Sequence, residues 1–372
     1  MSAVRYDVAI IGAGMAGASL AAELAGKAQV LLLEAEPQPG YHATGRSAAF
    51  WSESYGGPAV QPLTTASGPF LANPPPDFVD RSLLSPRGAI HVARAADHPA
   101  LARLEQAFAA SSVPLQRLDR LDLERVVPGL RPGWDAGLAE PSCADIDVAS
   151  LHAAYLGAGR RQGVKLVTEA RLIAATRAGS GWSLDTTAGS FGAEVLVNAA
   201  GAWADEVARR AGVAPIGIQP FRRTVVQLRT DPPAPPQLPL VLDAGGRFYF
   251  KPEAGGRLWV SPHDETACQA ADCAAEELDV ALAVDRFQHI VDWRVVAVER
   301  RWAGLRSFAP DRLPVYGYGA PGFFWCAGQG GFGIQTAPAA AKLAAALLLG
   351  SNPEPMVANI DPNRYAAVRF PT

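Results

Sequence analysis

The chain has few cysteines, little charge and no long apolar run, and each scarcity excludes a class of protein. Its four cysteines form neither a C-x-x-C pair nor a zinc-ligand spacing, which predicts free thiols in a reducing compartment and no metal site. A net charge of −3 without a lysine- or arginine-rich run argues against nucleic-acid binding. No run of about 20 apolar residues could cross a bilayer and no secretory signal pattern is present, so we expect a cytoplasmic protein without an integral membrane segment.

What is present is enough apolar material for two cores. The 372 residues exceed one compact core and fit about two domains of about 150 residues. Apolar periodicity predicts strands at 8–11, 30–34, 170–177, 181–186, 194–198, 248–252 and 257–262, and helices at 15–24, 101–108, 151–162 and 337–349. A short turn at 178–180 predicts a β-hairpin, 40–54 is expected to be a loop, and the proline-rich stretch 231–239 a surface excursion.

A nucleotide-binding fingerprint lies close to the N-terminus. Gly12, Gly14 and Gly17 form G-x-G-x-x-G between a predicted strand and a predicted helix. The first glycine permits the tight turn, the second allows the backbone to approach a pyrophosphate, and the third lets helix and strand pack closely. Glu34 ends the next strand about 20 residues later, where a carboxylate accepts the ribose hydroxyls. These features together predict dinucleotide binding.

Three further glycine-rich segments favour FAD over NAD. The loop GYHATGRS (40–47) begins soon after the acidic residue and could wrap a larger cofactor. VNAAGAW (197–203) follows the predicted hairpin, and GQGGFG (328–333) precedes the last predicted helix. A helix N-terminus there would stabilise negative charge on a reduced flavin. Glycine-rich strand ends from distant parts of the chain therefore predict one FAD site.

The chain resembles the FAD-dependent D-amino-acid oxidase (DAO) family, and within it the bacterial D-arginine dehydrogenases. The stretches that carry the resemblance are PGYHATGRSAAFW (39–51), NPPPDF (73–78), LLSPR (83–87), ADID (144–147), VNAAGAWAD (197–205), FYFKPEAG (248–255), WAGLRSF (302–308) and GFFWCAGQGGFGIQT (322–336). The resemblance implies an α/β Rossmann-like FAD-binding domain and a second, α+β domain whose antiparallel sheet covers the flavin. We assign 1–79, 148–213 and 299–372 to the first domain, and 80–147 and 214–298 to the second.

The resemblance and the glycine-rich segments give a set of candidate cofactor-binding residues. These are Gly12, Gly14, Met15, Ala16, Gly17, Glu34, Ala35, His42, Thr44, Gly45, Arg46, Ser47, Ala48, Ala199, Gly201, Trp203, Gly304, Gly330, Gly331, Phe332, Gly333, Ile334 and Gln335. A histidine at the place of His42 carries covalent flavin in some relatives. The most similar members hold FAD without a covalent bond, so non-covalent FAD is expected.

The reaction that the resemblance implies needs a carboxylate clamp and no metal. Hydride passes from the substrate Cα to flavin N5, which requires a neutral amine and a fixed carboxylate. Arginine forks with tyrosine hydroxyls suit that carboxylate. The resemblance assigns these roles to Arg223, Arg306, Tyr249 and Tyr55, and the backbone carbonyl of Gly331 to the substrate amine. The neighbouring Arg222 should point to the opposite face of its strand.

Two departures from the D-arginine dehydrogenases alter the expected side-chain pocket. Ala89 stands where those enzymes have a carboxylate for the substrate guanidinium, and Phe50 where they have a histidine. Leu240 and Leu242 would extend an apolar pocket, which disfavours a buried cation. An apolar or aromatic D-amino acid is therefore expected to be preferred over D-arginine, unless Asp264 or Glu265 supplies a carboxylate.

Other functions remain open on the same residues. A dehydrogenase of glycerol 3-phosphate, a 2-hydroxy acid or a secondary amine would use the same fold, and a hydroxy acid would need a base such as His42 or His263. A flavin protein without turnover and an NAD(P)-linked dehydrogenase are the remaining alternatives. The sequence does not separate oxidase from dehydrogenase, although the resemblance favours electron transfer to a carrier such as a quinone.

Overall fold

The computed structural model describes residues 5–370, whose strands form two large sheets and one small sheet flanked by helices. The helices are α1 Met15–Leu24, α2 Gln61–Ala72, α3 His98–Phe108, α4 Arg120–Val126, α5 Val148–Arg161, α6 Ala204–Arg210, α7 Glu277–Gln288 and α8 Ala337–Leu349. Short 3₁₀ helices lie at Ala95–Asp97, Gly201–Trp203, Pro355–Val357, Pro362–Tyr365 and Ala367–Arg369.

The strands fall into three groups according to the sheet they join. The first sheet contains β1 Arg5–Ile11, β2 Val30–Leu33, β9 Lys165–Val167, β10 Leu172–Ala178, β11 Gly181–Thr186, β12 Gly189–Asn198, β19 Val315–Ala320 and β20 Phe323–Ala327. The second contains β5 Ala89–Arg94, β6 Gln116–Asp119, β7 Trp134–Glu140, β13 Gln219–Asp231, β14 Leu240–Asp243, β15 Tyr249–Glu253, β16 Arg257–Ser261, β17 Thr266–Ala267, β18 Arg294–Phe308 and β21 Gln329–Gly330. The small third sheet contains β3 Phe50–Trp51, β4 Leu84–Pro86 and β8 Ala144–Ile146.

The first sheet is Rossmann-like. Its centre is parallel in the order β20-β12-β1-β2-β9, and the β10-β11 hairpin extends it from the N-terminal part of β12. One face is covered by apolar residues of α1 and α8, and the other by the hairpin and α6. Because both faces are buried, Val30–Leu33 is apolar at every position rather than alternating.

The second sheet runs β21-β18-β13-β16-β15-β14-β5-β7-β6 and is antiparallel apart from the β14·β5 pair. The long strands β13 and β18 pair along almost their whole length, Gln219 lying opposite Phe308 and Asp231 opposite Arg294. Helix α7 packs its apolar side, including Phe287, against one face of this sheet. The opposite face is turned towards the glycine-rich turns of the first sheet, since residues from both line one cleft.

The predicted fold class is confirmed, and the element bounds differ mainly at ends. Helices α1 and α8 have the predicted limits, whereas α3 begins at His98 and α5 at Val148. The expected loop 40–54 contains the short strand β3, and β12 begins at Gly189 instead of 194. In the stretch 231–239, Asp231–Pro233, Pro236 and Gln237 are exposed, whereas Ala234, Leu238 and Pro239 are buried.

The division into two domains stays a prediction. The predicted boundary at 298/299 falls inside β18, which pairs with β13 on both sides of that point. Within residues 5–370, no helix is both long and apolar enough to cross a membrane.

Candidate active site

A deep cleft lies between the carboxyl ends of the parallel strands and one face of the second sheet. At its edge, Ile11 ends β1 and Gly12 follows it, Glu34 follows β2 and Ala199 follows β12. From the second sheet come Arg223 and Val225 of β13, Tyr249 of β15, and Gly304, Leu305, Arg306 and Ser307 of β18. The carboxyl ends of parallel strands are the usual ligand position in open α/β sheets.

The glycine turn at the cleft is closed so tightly that side chains are excluded. Gly12 has φ +102°, and a Cβ there would lie 2.5 Å from the carbonyl oxygen of Ala199. A Cβ on Gly17 would lie 1.8 Å from the Gly12 carbonyl oxygen, so α1 can approach β1 only with glycine there. Gly14 opens on the cleft, where the Met15 N–H donates to Thr44 Oγ1 at 3.0 Å. A bare backbone at a helix N-terminus suits a pyrophosphate.

The acidic residue of the fingerprint is fixed at the cleft wall. Glu34 is 8% exposed; its Oε2 accepts from the Ala13 N–H at 2.8 Å and its Oε1 from the Glu36 N–H at 3.0 Å. Two backbone donors orient the carboxylate and leave lone pairs for the cleft, as a ribose diol requires.

The loop 40–48 is attached to both sheets. His42 packs its ring on Trp203 with centroids 4.6 Å apart, and its Nε2 lies 3.1 Å from Glu36 Oε1. Arg46 donates to the carbonyl of Ala303 at 3.2 Å and pairs with Asp272 at 2.6 Å, which connects this loop to the second sheet. This contact engages the Nε2 of His42, and the expectation of non-covalent FAD stays a prediction.

Most of the predicted cofactor residues line this cleft. Those that line it are Gly12, Gly14, Met15, Ala16, Glu34, Ala35, His42, Thr44, Arg46, Ser47, Ala48, Ala199, Gly201, Trp203, Gly304, Gly330, Gly331, Gly333 and Ile334. Gly17, Gly45, Phe332 and Gln335 do not line it; Gly17 and Gly45 permit close packing or a turn.

The sequence did not reveal several residues at one end of the cleft. Ala170, Arg171 and Leu172 line it at the start of the hairpin, as do Glu206, Val207 and Arg210 of α6. No motif marks them, because Ala170 and Arg171 are irregular chain before β10, Leu172 begins that strand, and the other three lie on an ordinary helix. Glu206, Val207 and Arg210 follow the segment 197–205 that carries the family resemblance, whereas no such segment directly precedes Ala170–Leu172.

Two arginines meet in the part of the cleft nearest the second sheet. Arg306 donates from Nη1 to the Tyr55 hydroxyl at 2.6 Å. Arg223 is 4% exposed and donates from Nε to the Asp264 carbonyl at 2.7 Å, while its Nη1 is buried with no partner among the described residues. Burial, and then the charge of Arg306, lower the pKa of Arg223 below the usual arginine value. An anion in front of the pair would relieve both effects.

The neighbouring arginine lies on the other face of β13. Arg222 pairs with Asp279 at 2.9 Å and with Glu276, both near the start of α7. Successive side chains of a strand point to opposite faces. Arg223 therefore faces the cleft while Arg222 holds α7 on the sheet.

The candidate substrate-pocket residues form one buried apolar cluster beside the arginines. Its members are Ala48, Phe50, Ala89, Cys143, Leu240, Leu242 and Tyr249, with Tyr55 packed against them. Phe50 contacts the Tyr55 ring at 5.0 Å and the Tyr249 ring at 6.3 Å between centroids. Gly331 faces the same place, since a Cβ on it would lie 2.9 Å from the Tyr55 hydroxyl and 3.2 Å from Arg306.

The two carboxylates considered for a cationic substrate are engaged elsewhere. Asp264 accepts from the Thr224 N–H at 2.7 Å and from its hydroxyl at 3.0 Å. Glu265 pairs with Arg223 at 3.1 Å and with Arg312 at 2.9 Å. Both balance arginines that already surround the site, so neither is a spare partner for a substrate guanidinium.

His263 lies close to the arginines in its neutral form. Its Nδ1 donates to the Gly246 carbonyl at 2.7 Å, and its ring contacts Tyr249. Burial, and then the charges of Arg223 and Arg306, lower its pKa to about 3. In the described part of the chain, no group of three or more His, Cys, Asp or Glu could hold a metal ion.

Comparison with known proteins agrees with this cleft. The chain is 26% identical to the glycine oxidase of Geobacillus kaustophilus over 92% of its own length and 93% of that enzyme. The crystal structure of that glycine oxidase superposes with a TM-score of 0.85 over 99% of this chain and 100% of the other.

Other relatives share the fold or part of the length. The bifunctional protein ThiO/ThiG of Synechocystis is 28% identical over 68% of this chain, which spans only 38% of that relative. L-proline dehydrogenase from P. horikoshii is 20% identical with a TM-score of 0.83, over 97% of this chain and 98% of the other. The DAO family model, described as FAD dependent oxidoreductase, matches residues 7–347. The chain therefore belongs to the DAO family of FAD-dependent oxidoreductases and is an FAD-binding enzyme.

Proposed function

We propose that the protein oxidises the Cα–N bond of a D-amino acid with an apolar side chain. The product is an imino acid, which water hydrolyses to a 2-oxo acid and ammonia. The observation that carries this proposal is that the buried Arg223 and the half-buried Arg306, which donates to Tyr55, both line the FAD cleft beside an apolar cluster.

The residues of the cleft fit FAD, and different residues suit different parts of the cofactor. The bare turn at Gly12–Met15 suits the pyrophosphate, and Glu34 suits the ribose hydroxyls. The segment 330–334 leads into α8, whose N-terminus favours negative charge. When bound, FAD supplies the hydride acceptor for the substrate Cα.

The protein's own contribution is orientation in a partly dehydrated site. Arg223 and Arg306 would each give the substrate carboxylate charge-assisted hydrogen bonds, and the Tyr55 and Tyr249 hydroxyls would flank it. The backbone carbonyl of Gly331 is the proposed acceptor for the amine. Fixing both groups sets the direction of the Cα–H bond, which is the main demand of hydride transfer.

The side-chain preference follows from the charges around the apolar cluster. Ala89 and Phe50 offer no carboxylate, and Asp264 and Glu265 are paired with other groups. The carboxylate of Glu140, opposite Ala89, already accepts from four donors of residues 52–54. A substrate guanidinium placed there would therefore lose its hydration without gaining a free partner. We therefore expect D-leucine, D-phenylalanine or D-methionine to react faster than D-arginine.

A second candidate is glycine or an N-substituted glycine. Phe50 packs against both Tyr55 and Tyr249, which limits the space for a side chain as these residues lie. Glycine oxidase and dimethylglycine dehydrogenase are among the relatives. A 2-hydroxy acid is less favoured, because His263 with a pKa of about 3 is a weak base at neutral pH.

The test is flavin bleaching under anaerobic conditions with a substrate panel. The panel contains D- and L-amino acids, glycine, sarcosine, glycerol 3-phosphate and 2-hydroxyglutarate, and Arg306→Ala serves as the site control. Bleaching by apolar D-amino acids that is lost in the variant supports the proposal. Bleaching by L-amino acids alone, or by a phosphate or a hydroxy acid alone, would overturn it, and bleaching by glycine or sarcosine alone selects the second candidate.

We also propose that the electron acceptor is a carrier such as a quinone. The support is the likeness to the D-arginine dehydrogenases, and the check is reoxidation of the reduced enzyme. A soluble quinone should reoxidise it at least tenfold faster than dissolved oxygen at equal concentration. We propose a cytoplasmic location as well, which fractionation of the producing cells would check.

A further inference from the structure

A fully buried carboxylate holds the segment that carries Tyr55. Glu140 is the last residue of β7 and is 0% exposed. Its Oε1 accepts from the Glu53 N–H at 2.6 Å. Its Oε2 accepts from the Ser52 hydroxyl at 2.8 Å, from the Ser54 hydroxyl, and from the Ser54 N–H at 3.4 Å. These donors belong to the three residues immediately before Tyr55, whereas Glu140 belongs to the second sheet.

The same segment is anchored on its other side by Gln335. The Ser52 N–H donates to Gln335 Oε1 at 3.2 Å, and Gln335 Nε2 donates to the Tyr55 carbonyl at 3.1 Å and to Thr64 Oγ1 at 3.0 Å. Glu140 and Gln335 thus fix the backbone of 52–55 between them. The consequence is a defined place for the Tyr55 hydroxyl, which lies 2.6 Å from Arg306 Nη1.

The charge of Glu140 is stabilised by hydroxyls and backbone N–H groups, and burial raises its pKa above the usual glutamate value. A buried carboxylate held only by neutral donors costs free energy that an apolar residue would not. It does, however, satisfy backbone N–H groups that an apolar residue would leave without an acceptor. The role of Glu140 is therefore to fix the position of residues 52–55 rather than to add to the free energy of unfolding.

We propose that Glu140 is a positioning residue, which acts through Tyr55 to preset the carboxylate clamp at Arg306. The proposal rests on the proposed function for the identity of the bound group, a substrate carboxylate. The placement of Tyr55 itself does not depend on that identity.

The donor pattern gives a sharp set of variants. Glu140→Ala removes every acceptor for the segment. Glu140→Gln keeps an oxygen for the Glu53 N–H and turns its amide towards two serine hydroxyls, which can rotate to accept; only the long 3.4 Å bond from the Ser54 N–H is lost. Glu53→Gln is the matched control, because Glu53 is also buried but its side chain bonds to Thr65 and Ser142 instead.

Two readouts are taken on the FAD-loaded enzyme, neither of which needs turnover. The first is amide hydrogen exchange over residues 50–57, and the second is the Kd for acetate from the change in flavin absorbance. Glu140→Ala should speed exchange at 52–55 and raise the acetate Kd, each at least tenfold, while Glu140→Gln and Glu53→Gln stay within threefold of wild type. In the Tyr55→Phe background, Glu140→Ala should raise the Kd less than threefold further, because the two act through one hydroxyl.

The outcomes separate this proposal from the proposed function. Unchanged exchange in Glu140→Ala overturns it, and so does faster exchange with an unchanged acetate Kd. If Glu140→Ala does not fold, the Ser52→Ala/Ser54→Ala double variant removes two of the four bonds and should raise the Kd at least threefold; no change overturns the proposal. If wild type neither binds acetate nor bleaches with any amino acid, the proposed function falls, and the exchange result alone decides whether Glu140 holds Tyr55.

Discussion

At the scale of single residues, two adjacent arginines on β13 have separate tasks. Arg223 faces the cleft with one nitrogen buried and unpartnered within the described chain, whereas Arg222 is paired with Asp279 and Glu276 on the other face. Two residues of the same type thus differ in environment: Arg223 faces the cleft, whereas Arg222 contacts the start of α7. This neighbourhood offers a matched pair of substitutions.

Arg223→Met should lower kcat/KM at least tenfold, about 1.4 kcal/mol, with the protein still folded. Arg222→Met should leave kcat/KM within threefold but lower the unfolding free energy by about 3 kcal/mol, since it leaves the buried Asp279 without its cation. Steady-state kinetics and urea unfolding of the two variants test this. Equal losses of kcat/KM in both would remove Arg223 from the carboxylate clamp.

His91 gives a prediction about pH. It lies on β5 opposite Leu138 and Leu242, its Nε2 is buried without a partner in the described chain, and burial lowers its pKa to about 4 against the opposing charge of Asp243. Because the folded pKa lies below the unfolded value of about 6.5, the unfolded chain binds the proton more tightly. Stability from this residue is therefore lost as the pH falls from about 6.5 towards 4, by about 2 kcal/mol at pH 5.

The measurement is the difference in unfolding free energy between pH 7 and pH 5. His91→Leu should reduce this difference by about 2 kcal/mol relative to wild type. Replacement of the exposed His98 by leucine is the control for removing a histidine outside the core. The same pH difference in wild type and His91→Leu would contradict the burial argument.

At the scale of elements, the contact of α1 with β1 depends on one missing side chain. A Cβ on Gly17 would lie 1.8 Å from the Gly12 carbonyl oxygen, so Gly17→Ala must move the helix away from the turn. We expect a loss of about 3 kcal/mol in stability and a purified protein with less than a tenth of the FAD of wild type. Ala22→Gly is the control on the same helix, because Ala22 does not line the cleft, and the ratio of flavin to protein absorbance is the readout. Normal FAD content in Gly17→Ala would show that the helix can shift without harm.

The elements also show what the sequence could and could not predict. Helices α1 and α8 were predicted to their limits, because an Ala- and Leu-rich run there ends beside glycine or polar residues. The start of β12 at Gly189 was missed, since Gly189–Gly192 has little apolar content and is held by pairing with β11. Strand β3 was missed for a similar reason: two residues become a strand only through pairing with β8.

The residues of the candidate site also fall into those that the sequence could predict and those that it could not. Residues in motifs, such as Gly12 and Glu34, could be found because their chemistry requires a fixed spacing. Glu140 could not be found, because its partners at 52–54 lie about 90 positions away and nothing in its own strand marks a buried acid. Contacts across the two sheets are properties of the fold, and a local pattern does not contain them.

At the scale of the whole molecule, the cofactor cleft joins segments that are remote in the sequence. Its wall is assembled from the turns after β1, β2 and β12, from the loop 40–48, from β18 and from the segment before α8. No single segment forms this wall, so contacts within one segment cannot stabilise the whole of it. FAD bound in the cleft would touch all of them at once, so its binding free energy should appear as stability of the entire chain.

We therefore expect removal of FAD to lower the melting temperature and its return to restore it. Free FAD at 100 times its Kd adds about 2.7 kcal/mol, which corresponds to roughly 3–4 °C for a chain of 372 residues. FMN is the matched control, because it keeps the isoalloxazine but lacks the adenosine half that the turn at Gly12 and the carboxylate of Glu34 are arranged to receive. Apoprotein should melt higher with FAD and no more than 1 °C higher with FMN at the same concentration, by differential scanning calorimetry, where ~1 °C is well below the expected shift. Equal stabilisation by FMN would place the binding energy at the isoalloxazine end and contradict the part assigned to the glycine turn.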